Sequence, residues 1–178
     1  MKIIFVRHGE SEANVAGRIN DNPARGVNLT ERGKEQAKAA SDELSAARFT
    51  HAYASEFPRA QQTAKILLRH HACTLQIDAR INERKTGMDW LPVKTFHDLV
   101  YADPLHTRPD HGESFLEQME RLRSFLDETA ARHPDGIALA VSHENPILAA
   151  LALQSGNLEE TARGSIANCG WVEMEWPG

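Results

Sequence analysis

Arg7 and His8 stand side by side directly after the apolar run Ile3-Ile4-Phe5-Val6, and Gly9, Glu10 and Ser11 follow them. An arginine fork grips two oxygens of a phosphate. A neutral imidazole is a nucleophile for phosphorus. The same residue types recur further along. Arg59 lies four residues after Ser55, where the predicted strand 50–54 gives way to a helix, and Ser142-His143 closes the apolar run 137–141. Glu83 follows the predicted strand 74–77 and adds a carboxyl group. These residues have the chemistry of covalent phosphoryl transfer. His8 attacks phosphorus, while Arg7, Arg59 and His143 hold the equatorial oxygens. Glu83 protonates the leaving alkoxide and then activates the water that hydrolyses the phosphohistidine. Neighbouring guanidinium charge keeps His8 neutral. The arginines supply the positive charge, so neither a metal nor another cofactor is expected.

For this chemistry to converge, the elements must bring the residues to one edge. The β-branched and aromatic run at residues 2–7 reads as a buried strand. A helix is expected from Thr30 to about Ala47, with Ala37, Ala40 and Leu44 on one face. The strand at 50–54 leads to a helix capped by Ser55, with Pro58 in its first turn. The segment 84–112, with Pro92, Pro104 and Pro109, reads as a lid or small helical insertion. A long amphipathic helix carries Phe115, Met119, Leu122 and Leu126 and ends at His133-Pro134-Asp135-Gly136. The run 137–141 is apolar throughout and therefore central. Asn145-Pro146 opens the next helix, and 171–176 alternates like an edge strand. The alternating order implies an α/β fold: three layers, with a mostly parallel central sheet and helices on both faces. In such sheets ligands bind off the carboxyl ends of the strands, where Arg7, His8, Arg59 and His143 fall.

The chain of 178 residues is expected to form a single domain, 1–178, with the insertion inside it. Its net charge of −5 speaks against nucleic-acid or anionic membrane partners. No apolar stretch approaches the roughly 20 residues that span a bilayer, and the first apolar run is too short for a signal peptide. Two cysteines, Cys73 and Cys169, form no disulfide framework and fit free thiols in the cytoplasm. Oligomeric state is not readable from the sequence.

Taken together, the motifs resemble those of the histidine phosphatase superfamily, also called phosphoglycerate mutase-like. The matching pieces are Arg7-His8-Gly9-Glu10-Ser11 with Asn14, then Leu29-Thr30-Glu31-Arg32-Gly33, Ser55 to Ala64 (SEFPRAQQTA), Glu83, Gly112-Glu113-Ser114 and Val141-Ser142-His143. They come in the family's order across about residues 3–172. The resemblance implies a phosphohistidine at His8, a phosphate pocket of Arg7, Arg59 and His143, a further phosphate contact from Asn14, and Glu83 as acid and base. It also implies a small phosphorylated substrate, with inorganic phosphate as product. The chain departs from the pattern at three places. Glu144 replaces the glycine that usually follows the second histidine. In the acid-phosphatase branch an acidic residue there is the proton donor, so Glu144 rivals Glu83. Asn20 and Asp21, with the loop 22–28, replace small residues that touch substrate. The chain also lacks the longer enclosing insertions of the mutases.

Three activities are therefore open: a phosphomonoester hydrolase, a phosphoglycerate mutase, and a protein phosphatase acting on phosphohistidine or phosphoserine. The protein phosphatase is told apart by whether 84–112 folds over His8 or leaves it bare, and the mutase by transfer primed by 2,3-bisphosphoglycerate that outpaces hydrolysis. Bland roles compete at single residues. Asn14 can serve as a cap or turn residue, and Arg59 can pair with Glu56 on its helix. Glu83 can pair with Arg80 or Arg84. His70 and His71 are adjacent and point apart, a poor metal site. His97, His106 and His111 read as solvated loop residues, and Trp90 as either a cover for the site or an anchor for the loop.

Overall fold

In the computed structural model, which describes residues 1–177, five strands form one sheet in the order β3-β2-β4-β1-β5. They are β1 (Lys2–Arg7), β2 (His51–Ala54), β3 (Leu75–Ile77), β4 (Ile137–Ser142) and β5 (Trp171–Glu175). The first four run parallel and β5 lies antiparallel against β1. β4 is central, as its apolar sequence requires: Ala138, Leu139, Ala140 and Val141 are all buried.

The pleat sorts alternate residues to opposite faces. Ile3 and Phe5 of β1 and Ala138 and Ala140 of β4 join one core, under α5 (Phe115–Arg132) and α6 (Glu144–Ser155). Ile4, Val6, Leu139 and Val141 join the other, under α2 (Glu31–Glu43) and α3 (Pro58–Leu67). The helix starts follow local chemistry. The Thr30 hydroxyl accepts the Gly33 amide at 3.0 Å, and Ser114 and Glu117 form a reciprocal capping box. No helix among the described residues is long and apolar enough to cross a membrane.

Several boundaries differ from those read in the sequence. α2 stops at Glu43 rather than near Ala47, because Leu44 closes a tight turn on the carbonyls of Ala40 and Asp42. Ser55 does not cap α3. Its hydroxyl is taken by the His143 ring at 2.8 Å, and Phe57 holds the cap position. Trp176 lies beyond β5 and donates its indole N–H to Asp127 at 2.8 Å. Two short helices carried no periodic signal: α1 (Glu12–Ala16) and α7 (Leu158–Ala162). The segment 84–112 contains a third, α4 (Val93–Val100), of which Phe96 is the buried residue.

One close approach ties the β1–α1 turn to α2. A Cβ on Gly9 would lie 2.4 Å from the Gly33 carbonyl oxygen, and one on Gly33 would lie 2.0 Å from that of Glu10. Only two facing glycines let the backbones meet this closely.

Candidate active site

The parallel register sets the ends of β1 and β4 level, with Arg7 opposite Ser142. His8 and His143 therefore leave the sheet side by side, their rings in an edge-to-face contact with centroids 5.0 Å apart. His8 Nδ1 is 2.7 Å from the Gly9 carbonyl oxygen. A carbonyl only accepts, so Nδ1 carries the proton and Nε2 carries the lone pair. Arg59 donates Nε–H to that Nε2 at 3.0 Å. Burial first, then the Arg59 charge, pull the His8 pKa well below the usual imidazole value, so the ring is neutral.

Arg59, from the first turn of α3, is nearly fully buried, and its guanidinium stacks 4.4 Å over the Phe57 ring. Its Nη1 donates to Asn20 Oδ1, and its Nη2 reaches the Asn20 carbonyl oxygen and His143 Nδ1, each at 3.2 Å. Desolvation pushes its pKa down to about 10, so it remains cationic at neutral pH. With Nδ1 receiving Arg59, the His143 imidazole turns Nε2 to the Ser55 hydroxyl. Its pKa is also held well below the usual value by burial and by Arg59.

The two carboxylates sit differently. Glu83 accepts the Arg84 amide at 2.9 Å, and burial raises its pKa above the usual range despite that bond and the Arg59 and Arg7 charges. A raised carboxyl suits an acid that must hold its proton until the leaving group departs. The loop carrying it is fixed from behind by Arg121, which donates to the carbonyls of Arg80, Asn82 and Glu83 and pairs with Glu113 at 2.6 Å. Glu144, at the start of α6, is ion-paired instead, its Oε1 lying 3.1 Å from Arg7 Nη1.

Arg7, His8, Asn14, Arg59, Glu83 and Glu144 all line one cleft of about 160 Å³. His143 does not line it: it lies fully buried behind Arg59. Asn14 carries out a structural task as well, since its Oδ1 accepts the Ser11 amide at 3.0 Å in the capping box of α1. The far wall comes from Arg18 to Asn20 and from Val93, Phe96 and His97 of α4. Residues 84–112 thus fold over the cleft that holds His8. Trp90 anchors that wall rather than covering the site. Its amide bonds the Ile19 carbonyl at 2.8 Å, and its ring lies under Arg25.

The sequence profile of the histidine phosphatase superfamily (branch 1) matches residues 3–178, nearly the whole chain. The chain belongs to the histidine phosphatase superfamily. It is 33% identical over 179 aligned residues to the 2,3-bisphosphoglycerate-dependent phosphoglycerate mutase of Thermoplasma acidophilum, covering 98% of this chain and 88% of that protein. It is 32% identical over 154 residues to the adenosylcobalamin/alpha-ribazole phosphatase of Salmonella typhimurium, covering 81% of this chain and 74% of that one. In fold it is similar to a mycobacterial glucosyl-3-phosphoglycerate phosphatase complexed with VO3. The TM-score there is 0.88 at 23% identity, over 98% of this chain and 90% of that chain.

Asn20 and His97 are among the cleft residues of this histidine phosphatase that the sequence did not reveal. Asn20 stood out there only as a departure from the family pattern; the structure makes it the residue that grips Arg59. His97 read as a solvated loop residue, yet α4 brings it to the cleft wall. A helix of eight residues between prolines leaves too little periodicity to orient its faces.

Proposed function

We propose that this chain is a metal-independent phosphomonoester hydrolase that works through a phosphohistidine on His8 and acts on a small phosphorylated metabolite. The observation that carries this reading is the His8 tautomer. Its Nδ1 proton is committed to the Gly9 carbonyl, which leaves a neutral Nε2 lone pair facing the Arg59 guanidinium, with the Arg7 charge also acting on the ring. When the phosphate enters, Arg59 exchanges its bond to Nε2 for phosphate oxygens and Arg7 takes others. Nε2 then attacks phosphorus in line, the ester P–O bond breaks, and Glu83 gives its proton to the departing oxygen. In the second half, Glu83 as carboxylate takes a proton from water. The water oxygen attacks phosphorus, the P–N bond breaks, and inorganic phosphate leaves with Nε2 restored. His143 acts from behind, fixing Arg59 and packing against His8.

The substrate class is supported by size. A cleft of about 160 Å³, walled by α4, holds a small organic molecule and leaves little room for a protein loop. Relatives bear names of both kinds, mutase and phosphatase. Hydrolysis is the reading favoured here because the chain lacks the longer insertions that family mutases typically carry, and the segment 84–112 supplies one wall of the cleft. The free thiols Cys73 and Cys169 support a cytoplasmic setting, and residues 1–178 act as one catalytic domain. The test is His8→Ala assayed on phenyl and 4-nitrophenyl phosphate. Turnover is expected to fall by more than about 10³-fold with the melting temperature retained. Retained turnover overturns the covalent route. Transfer primed by 2,3-bisphosphoglycerate that outpaces hydrolysis overturns the choice of phosphatase over mutase.

A further inference from the structure

Glu144 stands where the family usually has glycine, and its contacts give it a task. Its Oε1 receives three donors: Arg7 Nη1 at 3.1 Å, the Ser165 hydroxyl at 2.9 Å and the Ile166 amide at 3.0 Å. Arg7 Nη1 also donates to the Ile166 carbonyl oxygen. The Nη1 corner of the arginine is therefore saturated, and the loop 165–166 is clamped with it. Arg7 Nε, in contrast, is buried and has no partner among the described residues. A buried guanidinium N–H without a partner is costly unless a ligand supplies the acceptor. The Nε–Nη2 edge is the other edge of the fork, and such an edge takes two oxygens of a tetrahedral anion in parallel bonds.

We propose that Glu144 is a positioning residue: it holds Arg7 by Nη1 so that the Nε–Nη2 edge is presented to the substrate phosphate. This rests on the phosphate-site reading above. The three donors commit Oε1 to this clamp and fix the carboxylate against Arg7 and the loop 165–166. With the acid role given to Glu83 in the reading above, Glu144 is the device by which α6 and the loop 165–166 aim the arginine.

The test measures binding and chemistry separately, on the full chain. Inorganic phosphate and vanadate affinities are measured by calorimetry, and steady-state constants with phenyl and 4-nitrophenyl phosphate. Glu144→Ala is expected to weaken phosphate binding and raise KM by about 10- to 100-fold, the worth of a charge-assisted hydrogen bond. The ratio of kcat between the two esters is expected to stay at the wild-type value. Glu144→Gln, whose carbonyl oxygen accepts the same three donors, recovers most of the affinity. Glu144→Asp keeps the charge at the helix start, and so protects folding if the alanine variant does not fold. It withdraws the carboxylate by one methylene and is expected to weaken phosphate about tenfold. Phosphate affinity within twofold of wild type in the Asp variant overturns the proposal. A selective loss on phenyl phosphate in the Gln variant also overturns it, by making Glu144 the acid. A wild-type chain that binds neither anion overturns instead the phosphate-site reading beneath it.

Discussion

The strand-end wall of the cleft and the wall made by residues 17–28 and 84–112 are held by different forces. On the strand side, Arg7 ends β1 and His8 follows it, with His143 buried behind them after β4; the two strands are paired residue by residue, so the sheet register fixes where these residues emerge. Their partners are short and buried, as with His8 on Gly9 and His143 on Ser55. On the other side, single polar tethers carry the structure. Asp21 Oδ2 accepts from the Thr86 amide, the Thr86 hydroxyl and the Gly87 amide, at 2.7, 2.8 and 2.9 Å. Asp89 ties Asn20, Asp21 and Arg25 together. Arg84 is buried against two carbonyls and the Phe96 ring, and desolvation pushes its pKa down to about 10. A register cannot drift without dismantling the sheet, whereas a tethered loop can be rebuilt one carboxylate at a time. On the function proposed above, the nucleophile and its arginine clamp belong to the first wall and substrate choice to the second.

The largest effect that could break this division is at Glu83. Glu83→Gln is expected to slow phenyl phosphate by about 10²- to 10⁴-fold in kcat and 4-nitrophenyl phosphate far less, because only the poor leaving group needs the proton. Equal slowing of both esters in steady-state assays removes Glu83 from the acid role. At Asp21 the opposite pattern is expected. Asp21→Ala releases Thr86 and Gly87, so the spread of kcat/KM across a panel of phosphorylated metabolites shifts by up to about tenfold, the scale of one or two contacts. The aryl phosphates stay within about threefold. A uniform drop across the panel merges the two walls into one unit.

The smallest effect is in stability. Folding depresses the pKa values of His8 and His143, so the unfolded chain binds more protons below about pH 6.5, the ordinary imidazole value. Their contribution is fully present above that pH and is lost as pH falls through it, by up to about 1.4 kcal/mol per histidine per pH unit. Denaturant melts between pH 7 and 5 are expected to show this slope, shallower in His8→Ala. An unchanged slope places the acid sensitivity elsewhere, for instance at the stacked His51 and His133, where burial lowers the His51 pKa.

The same division explains what was legible in the sequence. β1 and β4 announce themselves by apolar runs that end on Arg-His and Ser-His, and the sheet they imply has the expected parallel core. Ser55 was legible as a strand-end residue, but its partner was not: a hydroxyl that reads as a helix cap is claimed by His143, 88 positions away. Asn14 could be read as cap or ligand, and the structure shows the cap while leaving it at the cleft. Asn20 and Asp21 were visible only as departures from the family pattern and Asp89 was silent, because a loop carboxylate or amide has no period and its meaning lies in a distant amide or guanidinium. Glu144 was visible as an anomaly, while the three donors that give it a purpose come from Arg7 and the loop 165–166.

The facing glycines have a consequence for how such a chain can change over time. Gly9 follows His8, and Gly33 lies in the first turn of α2, 24 positions further along the chain. A methyl group on either collides with backbone of the other segment, and backbone cannot step aside as a side chain can. Neither position can accept a side chain alone, and a side chain at both only doubles the collision. The helix start therefore inherits the intolerance of the turn after His8, and neither position is free to wander through sequence space, alone or together.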